Sequence, residues 1–136
     1  MILIVCLDNK NGMIFNHRRQ SQDRIVRQRI AQMTAQNPVY MNAYSKELYK
    51  EISDVVVCED FLEQAKKGNY CLIENRQVKD FEDKIEGMII FRWNKVYPAD
   101  MIFDIDLSRW KLVQTEEFEG SSHQITMEVY EGEEGK

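Results

Sequence analysis

Four stretches of this chain are apolar at every position for the length of a strand: Ile2–Leu7, residues 55–58, Tyr70–Ile73 and residues 88–91. A strand points successive side chains to opposite faces. A run with no polar alternation must therefore be covered on both sides. Sheets covered on both faces by helices are mostly parallel, and helical patterns fall between these runs. Two later segments, 110–113 and 125–130, alternate apolar with polar residues instead. That pattern marks strands with one wetter face, antiparallel at a sheet edge. The expected class is α/β, with a mainly parallel central sheet flanked by helices and antiparallel C-terminal edge strands.

The connecting segments fill in the rest. Asp8-Asn9-Lys10-Asn11-Gly12 is a turn signal. Ser21 is expected to cap a helix over 22–33, whose apolar stripe is Ile25, Val26, Ile30 and Met33. Asn37-Pro38 stops it, and Val39-Tyr40-Met41 forms a short strand. Ser45 opens a second helix through Leu48 and Ile52. A third covers 59–67 and ends at Gly68. A fourth covers 76–86, turning Val78, Phe81 and Ile85 inward, and ends at Gly87. Residues 131–136 form a polar, frayed tail.

A length of 136 residues suits a single domain over 1–136. Hydrophobic residues at 43% and charged residues at 30% give a globular balance. The net charge of −5 argues against nucleic-acid binding through bulk charge. No apolar run approaches the roughly 18 residues of a membrane span. The apolar start lacks a basic n-region, so it reads as a strand and not a signal peptide. Three cysteines without a CxxC pair suggest free, buried thiols in a reducing, cytoplasmic compartment. Cys6, in mid-strand, is expected to be inert. His17 and His123 have no ligand at metal spacing, so no metal is expected. Asp104 and Asp106 read as turn residues, Glu82, Asp83 and Glu86 as an exposed helix face, and Trp93 and Trp110 as packing residues.

One cluster invites a functional reading. Arg18, Arg19, Arg24, Arg27 and Arg29 are five of the chain's eight arginines and fall within twelve residues. Beside a helix N-terminus they make a candidate site for a phosphate or another anion, a nucleotide or an acidic partner. The plainer expectation is a solvated helix face with Asp23 as its local counter-charge.

The C-terminal third reads KIEGMIIFRWNKVYPADMIFD, then IDLSRWKLVQTEEF and HQITMEVYE; the N-terminus reads MILIVCLDNKNGMI. Together with Pro38-Val39-Tyr40-Met41, these segments resemble dihydrofolate reductases over most of the chain, with one deletion around residues 50–56. The resemblance implies a dihydrofolate reductase-like fold, an NADPH site and a pterin site. It also shows which functional positions have changed. The family's pterin-pocket acid falls at Val26 or Arg27, and Asp23, the nearest acid, sits about one helical turn early as a candidate replacement. The lid over the nicotinamide, a glycine and a Leu-Pro-Trp stretch in the family, reads Phe15-Asn16-His17-Arg18-Arg19-Gln20-Ser21-Gln22 here. The phosphate-binding Gly-Arg-x-Thr turn has become Asn42-Ala43-Tyr44-Ser45, keeping only the Ser45 hydroxyl for a cofactor. The Gly-Gly pair has become Glu74-Asn75, where a carboxylate repels phosphate. The pterin threonine has become Phe91.

These departures favour a non-catalytic or divergent domain, a pseudoenzyme that needs no cofactor. Its expected ligand is a small anionic molecule or a protein partner, held through Arg18, Arg19, Arg24 and Arg27. The alternative is an NADPH-dependent reductase of dihydrofolate or a related pterin with a reshaped cofactor site.

Overall fold

The structure, a computed structural model, describes residues 1–19 and 22–132. In chain order the strands are β1 (Ile2–Leu7), β2 (Gly12–Phe15), β3 (Arg18–Arg19), β4 (Val39–Met41), β5 (Val55–Val57), β6 (Tyr70–Ile73), β7 (Gly87–Arg92), β8 (Met101–Ile102), β9 (Trp110–Glu119) and β10 (Gln124–Gly132). The helices are α1 (Arg24–Met33), α2 (Ala43–Leu48) and α3 (Phe61–Gln64). Two 3-10 turns, Lys79–Lys84 and Leu107–Arg109, complete the set.

The main sheet runs β5-β4-β6-β1-β7-β10-β9. β1 lies near its centre, parallel to β6 on one side and β7 on the other. β4 and β5 continue the parallel part. β10 and β9 close the far side as antiparallel strands. The parallel centre and antiparallel edge are those expected, but β5, read from its apolar run as a buried strand, is the sheet's other edge, with Val55 and Val56 half-buried and Val57 44% exposed, because among the described residues only β4 pairs with it.

The physical reason for those runs is visible in β1. Leu3, Val5 and Leu7 pack to one side with Phe61, Leu62, Val78 and Ile85. Ile4 packs to the other, with Val26, Ile30, Tyr49 and Ile52. Each buried aliphatic side chain contributes roughly 1.5–3 kcal/mol relative to an exposed one, so both faces of β1 stabilise the fold.

Local structure departs from the expectations at several points. Helix α1 starts at Arg24, and its N-cap is Asp23. Ser21, the expected cap, lies outside the described residues. Helix α2 starts at Ala43 under an Asn42 cap and ends at Leu48, so Ile52 packs from the turn beyond it. Helix α3 is one turn long, not nine residues. The segment 76–86 is not an α-helix. Asp104 accepts the backbone N–H groups of Val78 and Lys79, and the chain then winds as a 3-10 turn. Val78 and Ile85 are buried as expected, whereas Phe81 is only half-buried.

β9 runs on to Glu119, and β10 takes in Glu131 and Gly132, the first two residues of the expected tail. The rest of that tail, 133–136, lies outside the described residues. The chain also builds a second, three-stranded sheet, β3-β2-β8, from a segment that reads as loop. None of the three cysteines is in a disulfide, but only Cys71 is buried; Cys6 and Cys58 are half-buried. Among the described residues no helix is long and apolar enough to cross a membrane.

Candidate ligand-binding site

The site is organised by Asp8, which follows β1 and is 1% exposed. Its Oδ1 accepts the backbone N–H groups of Lys10 (2.8 Å) and Gly12 (2.7 Å). Its Oδ2 accepts the Tyr97 N–H at 3.0 Å. One buried carboxylate thus pins the start of β2 to the loop after β7. The contact is close: a Cβ on Gly12 would lie 2.8 Å from the Ala99 Cβ and 2.9 Å from Asp8 Oδ2.

β2 and β3 are joined by Asn16 and His17, at φ 50° and 62°. Two consecutive left-handed residues match the twist of a two-residue hairpin. The tip is held from both sides. Asp100 accepts the Asn16 N–H at 2.9 Å, and the Tyr44 hydroxyl donates to the His17 carbonyl at 3.1 Å. Phe15 and Arg18 are cross-strand partners, so their side chains emerge on the same face of the hairpin.

That face closes a cavity of about 330 Å³, lined by Phe15, Arg18, Arg19, Trp93, Tyr97 and Pro98. Phe15 is 45% and Tyr97 40% exposed, an unusual cost for two adjoining aromatics unless something covers them. Trp93 is buried and backed by His123, whose ring stands edge-on at 4.4 Å and places Nε2 2.9 Å from the Trp93 carbonyl. His123 therefore braces a wall of the cavity.

A parallel sheet presents its ligands at the C-terminal ends of its strands. Here, next to the ends of β4 and β6, the protein places an internal ion pair. Arg19 Nε meets Glu74 Oε2 at 2.9 Å, with side chains only 13% and 8% exposed. The same guanidinium donates to the Tyr44 carbonyl at 3.0 Å and lies 4.1 Å over the Tyr44 ring. Burial pushes the Glu74 carboxyl above its ordinary range, and Arg19 pulls it part of the way back. Glu74 Oε1 and Ser45 Oγ are both buried without a hydrogen bond of good geometry, though the Ser45 hydroxyl is near enough to favour the ionised carboxylate. Asn42 caps α2 through Ser45 N–H (3.1 Å) and donates to Asn75 Oδ1 at 2.9 Å.

The space on the α1 side of β1 is filled by side chains. Phe91 is fully buried, and Tyr49 is 2% exposed beside Val26 and Trp93. Burial drives the Tyr49 phenol well above its ordinary pKa, and its hydroxyl reaches the Cys6 sulfur at 4.0 Å. Asp23 is buried and occupied. Oδ1 accepts from Ile25 N–H (2.8 Å), Val26 N–H (3.1 Å) and the Ser121 hydroxyl (3.1 Å), and Oδ2 from Ser121 N–H (2.6 Å). Its carboxylate ties the start of α1 to the β9–β10 turn, an arrangement unlike the solvated counter-charge expected.

The arginines do not converge. Arg27 pairs with Glu51 at 3.0 Å. Arg29 pairs with Glu116 at 2.7 Å and covers the Phe118 ring. Arg24 is exposed on α1, away from the cavity lining. Only Arg18 and Arg19 reach the cavity, and Glu74 already neutralises Arg19. Among the described residues no carboxylate pairs with Arg18.

The remaining candidates are structural. Asp104 and Asp106 accept backbone N–H groups at the two 3-10 turns, and hydrogen bonds from Ser108 hold the Asp106 carboxyl below its usual range. No group of ligating side chains that could hold a metal occurs among the described residues. Trp110 is buried and donates Nε1–H to Glu82 at 3.2 Å. Glu86 pairs with the Met1 amino group at 2.7 Å, so Glu82 and Glu86 are not a free helix face. Burial pushes the Cys71 thiol up to about 12. The sequence reading missed Tyr97 and Pro98 as walls of a site, and Tyr49 as a core filler. Aromatics bordering an Asp-anchored loop were the available signal.

No family model and no curated protein matches the chain. Its fold does match solved structures. One is the dihydrofolate reductase from Enterococcus faecalis complexed with NADP(H) and RAB-propyl: TM-score 0.69, 15% identity, 98% of this chain and 96% of that chain covered. The order of strands and helices, the parallel centre and the antiparallel edge are thus those of the dihydrofolate reductase fold.

Proposed function

We propose that this chain is a non-catalytic domain of dihydrofolate reductase-like fold that binds a small anionic molecule on the face of the β2–β3 hairpin. The observation that carries the reading is Arg18, a guanidinium with no carboxylate partner among the described residues, at the rim of an aromatic cavity. A fixed cation beside a low-dielectric wall attracts an anion more strongly than one in open water.

The catalytic alternative finds little support in the residues. The similar Enterococcus faecalis structure is a complex with NADP(H), and what argues against such a cofactor here is what stands at the ends of β4 and β6. The Arg19–Glu74 pair and the Tyr44 ring fill that ground, and the Glu74 carboxylate would face a phosphate. Asp23 has its acceptor positions taken by α1 and Ser121, which leaves it poorly placed to serve a substrate. The proposal therefore includes no cofactor.

Thermal unfolding with added ligand tests it. A ligand at 100 times its dissociation constant stabilises a fold by about 2.7 kcal/mol, a shift of several degrees. Small anions are expected to raise the midpoint, less so at high salt and less so in Arg18→Ala. NADPH is expected to leave it unmoved. A saturable shift with NADPH overturns the reading and restores the reductase alternative.

A further inference from the structure

The walls of the cavity say more about the ligand than its charge. Three aromatic rings, Phe15, Trp93 and Tyr97, and the ring of Pro98 surround it, and among the described residues no carboxylate lines it. Flat rings pack best against another flat ring, offset or edge-on. The volume, about 330 Å³, lies at the low end of ligand pockets, enough for one or two fused rings and too little for a dinucleotide. The charge is also bounded. Of the two guanidiniums, Arg19 is matched by Glu74, which leaves one net positive charge on Arg18. A guanidinium fork suits a planar carboxylate, taken through two parallel hydrogen bonds.

We infer that the cavity is a site for a planar aromatic monocarboxylate of one or two rings, stacked among Phe15, Trp93 and Tyr97 with its carboxylate on Arg18. This rests on the anion-binding reading above and narrows it to one chemical class. The anchor is rigid where it matters. Asp8 fixes Tyr97 through its backbone, His123 backs Trp93, and Asp100 and Tyr44 hold the hairpin that carries Phe15 and Arg18. A preorganised wall loses little freedom on binding, which favours affinity for a small ligand.

Three probes separate the contributions in isothermal titration calorimetry: 2-naphthoate, its neutral amide 2-naphthamide, and inorganic phosphate. The expected result is saturable 2-naphthoate binding, at least about tenfold tighter than either of the others, weakened further by salt. Arg18→Gln is expected to weaken 2-naphthoate about tenfold or more and to leave the amide unchanged. Arg18 is exposed, so this variant tests the charge without disturbing the core. Tyr97→Ala is expected to weaken 2-naphthoate and leave any phosphate binding unchanged. Phosphate binding as tightly as 2-naphthoate, and depending on Arg18, overturns the aromatic class while the anion reading stands. Equal binding of acid and amide, or acid binding indifferent to Arg18→Gln, overturns both. So does the absence of binding by either anion.

Discussion

Removing Arg19 isolates the energetics of the filled crevice. Arg19→Ala leaves the Glu74 carboxylate 8% exposed with no cation beside it. Breaking a buried ion pair from one side costs about 3–5 kcal/mol, because the surviving charge stays desolvated. The stacking on Tyr44 contributes about 0.5–2 kcal/mol more. Arg19 keeps some contact with water, so about 3–4 kcal/mol is expected in all. For a domain of this size that lowers the thermal midpoint by roughly 10–15 °C. The pH dependence carries a definite sign. The Glu74 pKa is raised in the fold, so its contribution is complete below the ordinary carboxylate range and is lost as pH rises through the raised value. Without Arg19 to pull it down, that pKa rises further. The deficit of Arg19→Ala relative to the parent should therefore be small near pH 4 and full at pH 7. Adding Glu74→Gln removes the stranded charge and should recover most of the loss. Urea unfolding of the parent, Arg19→Ala and the double variant at both pH values measures all of this. A deficit that is equal at both pH values and not relieved by Glu74→Gln would refute the account of the pair.

Other substitutions probe the remaining anchors. Gly12→Ala drives a methyl against Ala99 and the Asp8 carboxylate, and should cost about 1–3 kcal/mol in urea unfolding. Asp23→Ala removes the α1 cap and strands the Ser121 N–H, for about 2–4 kcal/mol by the same measurement. Tyr49→Phe should be within about 1 kcal/mol of neutral, because the buried hydroxyl's hydrogen bond among the described residues is a weak one, to the Cys6 sulfur at 4.0 Å. Glu86 is held below its usual range by the Met1 amino group, so its contribution is present at neutral pH and lost as pH falls through that lowered value. Glu86→Gln should flatten the acid side of the stability–pH curve.

The centre of the sheet was legible because burial on two faces favours an all-apolar strand, although the same pattern at 55–57 belongs to an edge strand. β1, β6 and β7 could be placed from their composition alone. Segment 76–86 misled because Val78, Phe81 and Ile85 are spaced three and four apart, which suits a helix. A cap from Asp104, 26 residues away, turns the chain into a 3-10 turn instead. The hairpin was hidden because Asn16 and His17 hold left-handed backbone without a glycine to announce it. The arginine cluster was legible as a charge density but not as a site. Its members are neighbours in sequence, while the carboxylates that claim them come from the turn after α2, the residue after β6, and β9: Glu51, Glu74 and Glu116. No local pattern shows such partners. The cavity's aromatic wall likewise depends on Asp8 gathering Tyr97 from across the fold.

The central position of β1 also sets a timetable for synthesis. This strand is made before both of its neighbours, β6 and β7, and Leu7 finds its β7 partner only at Arg92. At roughly 5–20 residues per second the interval is on the order of 5–15 s. For most of it, until β6 (Tyr70–Ile73) is made, this six-residue apolar strand has no native ladder to join. Until then Ile2–Leu7 is an apolar segment open to non-native pairing, while the β9–β10 hairpin, built from sequence neighbours, can pair as soon as it is made.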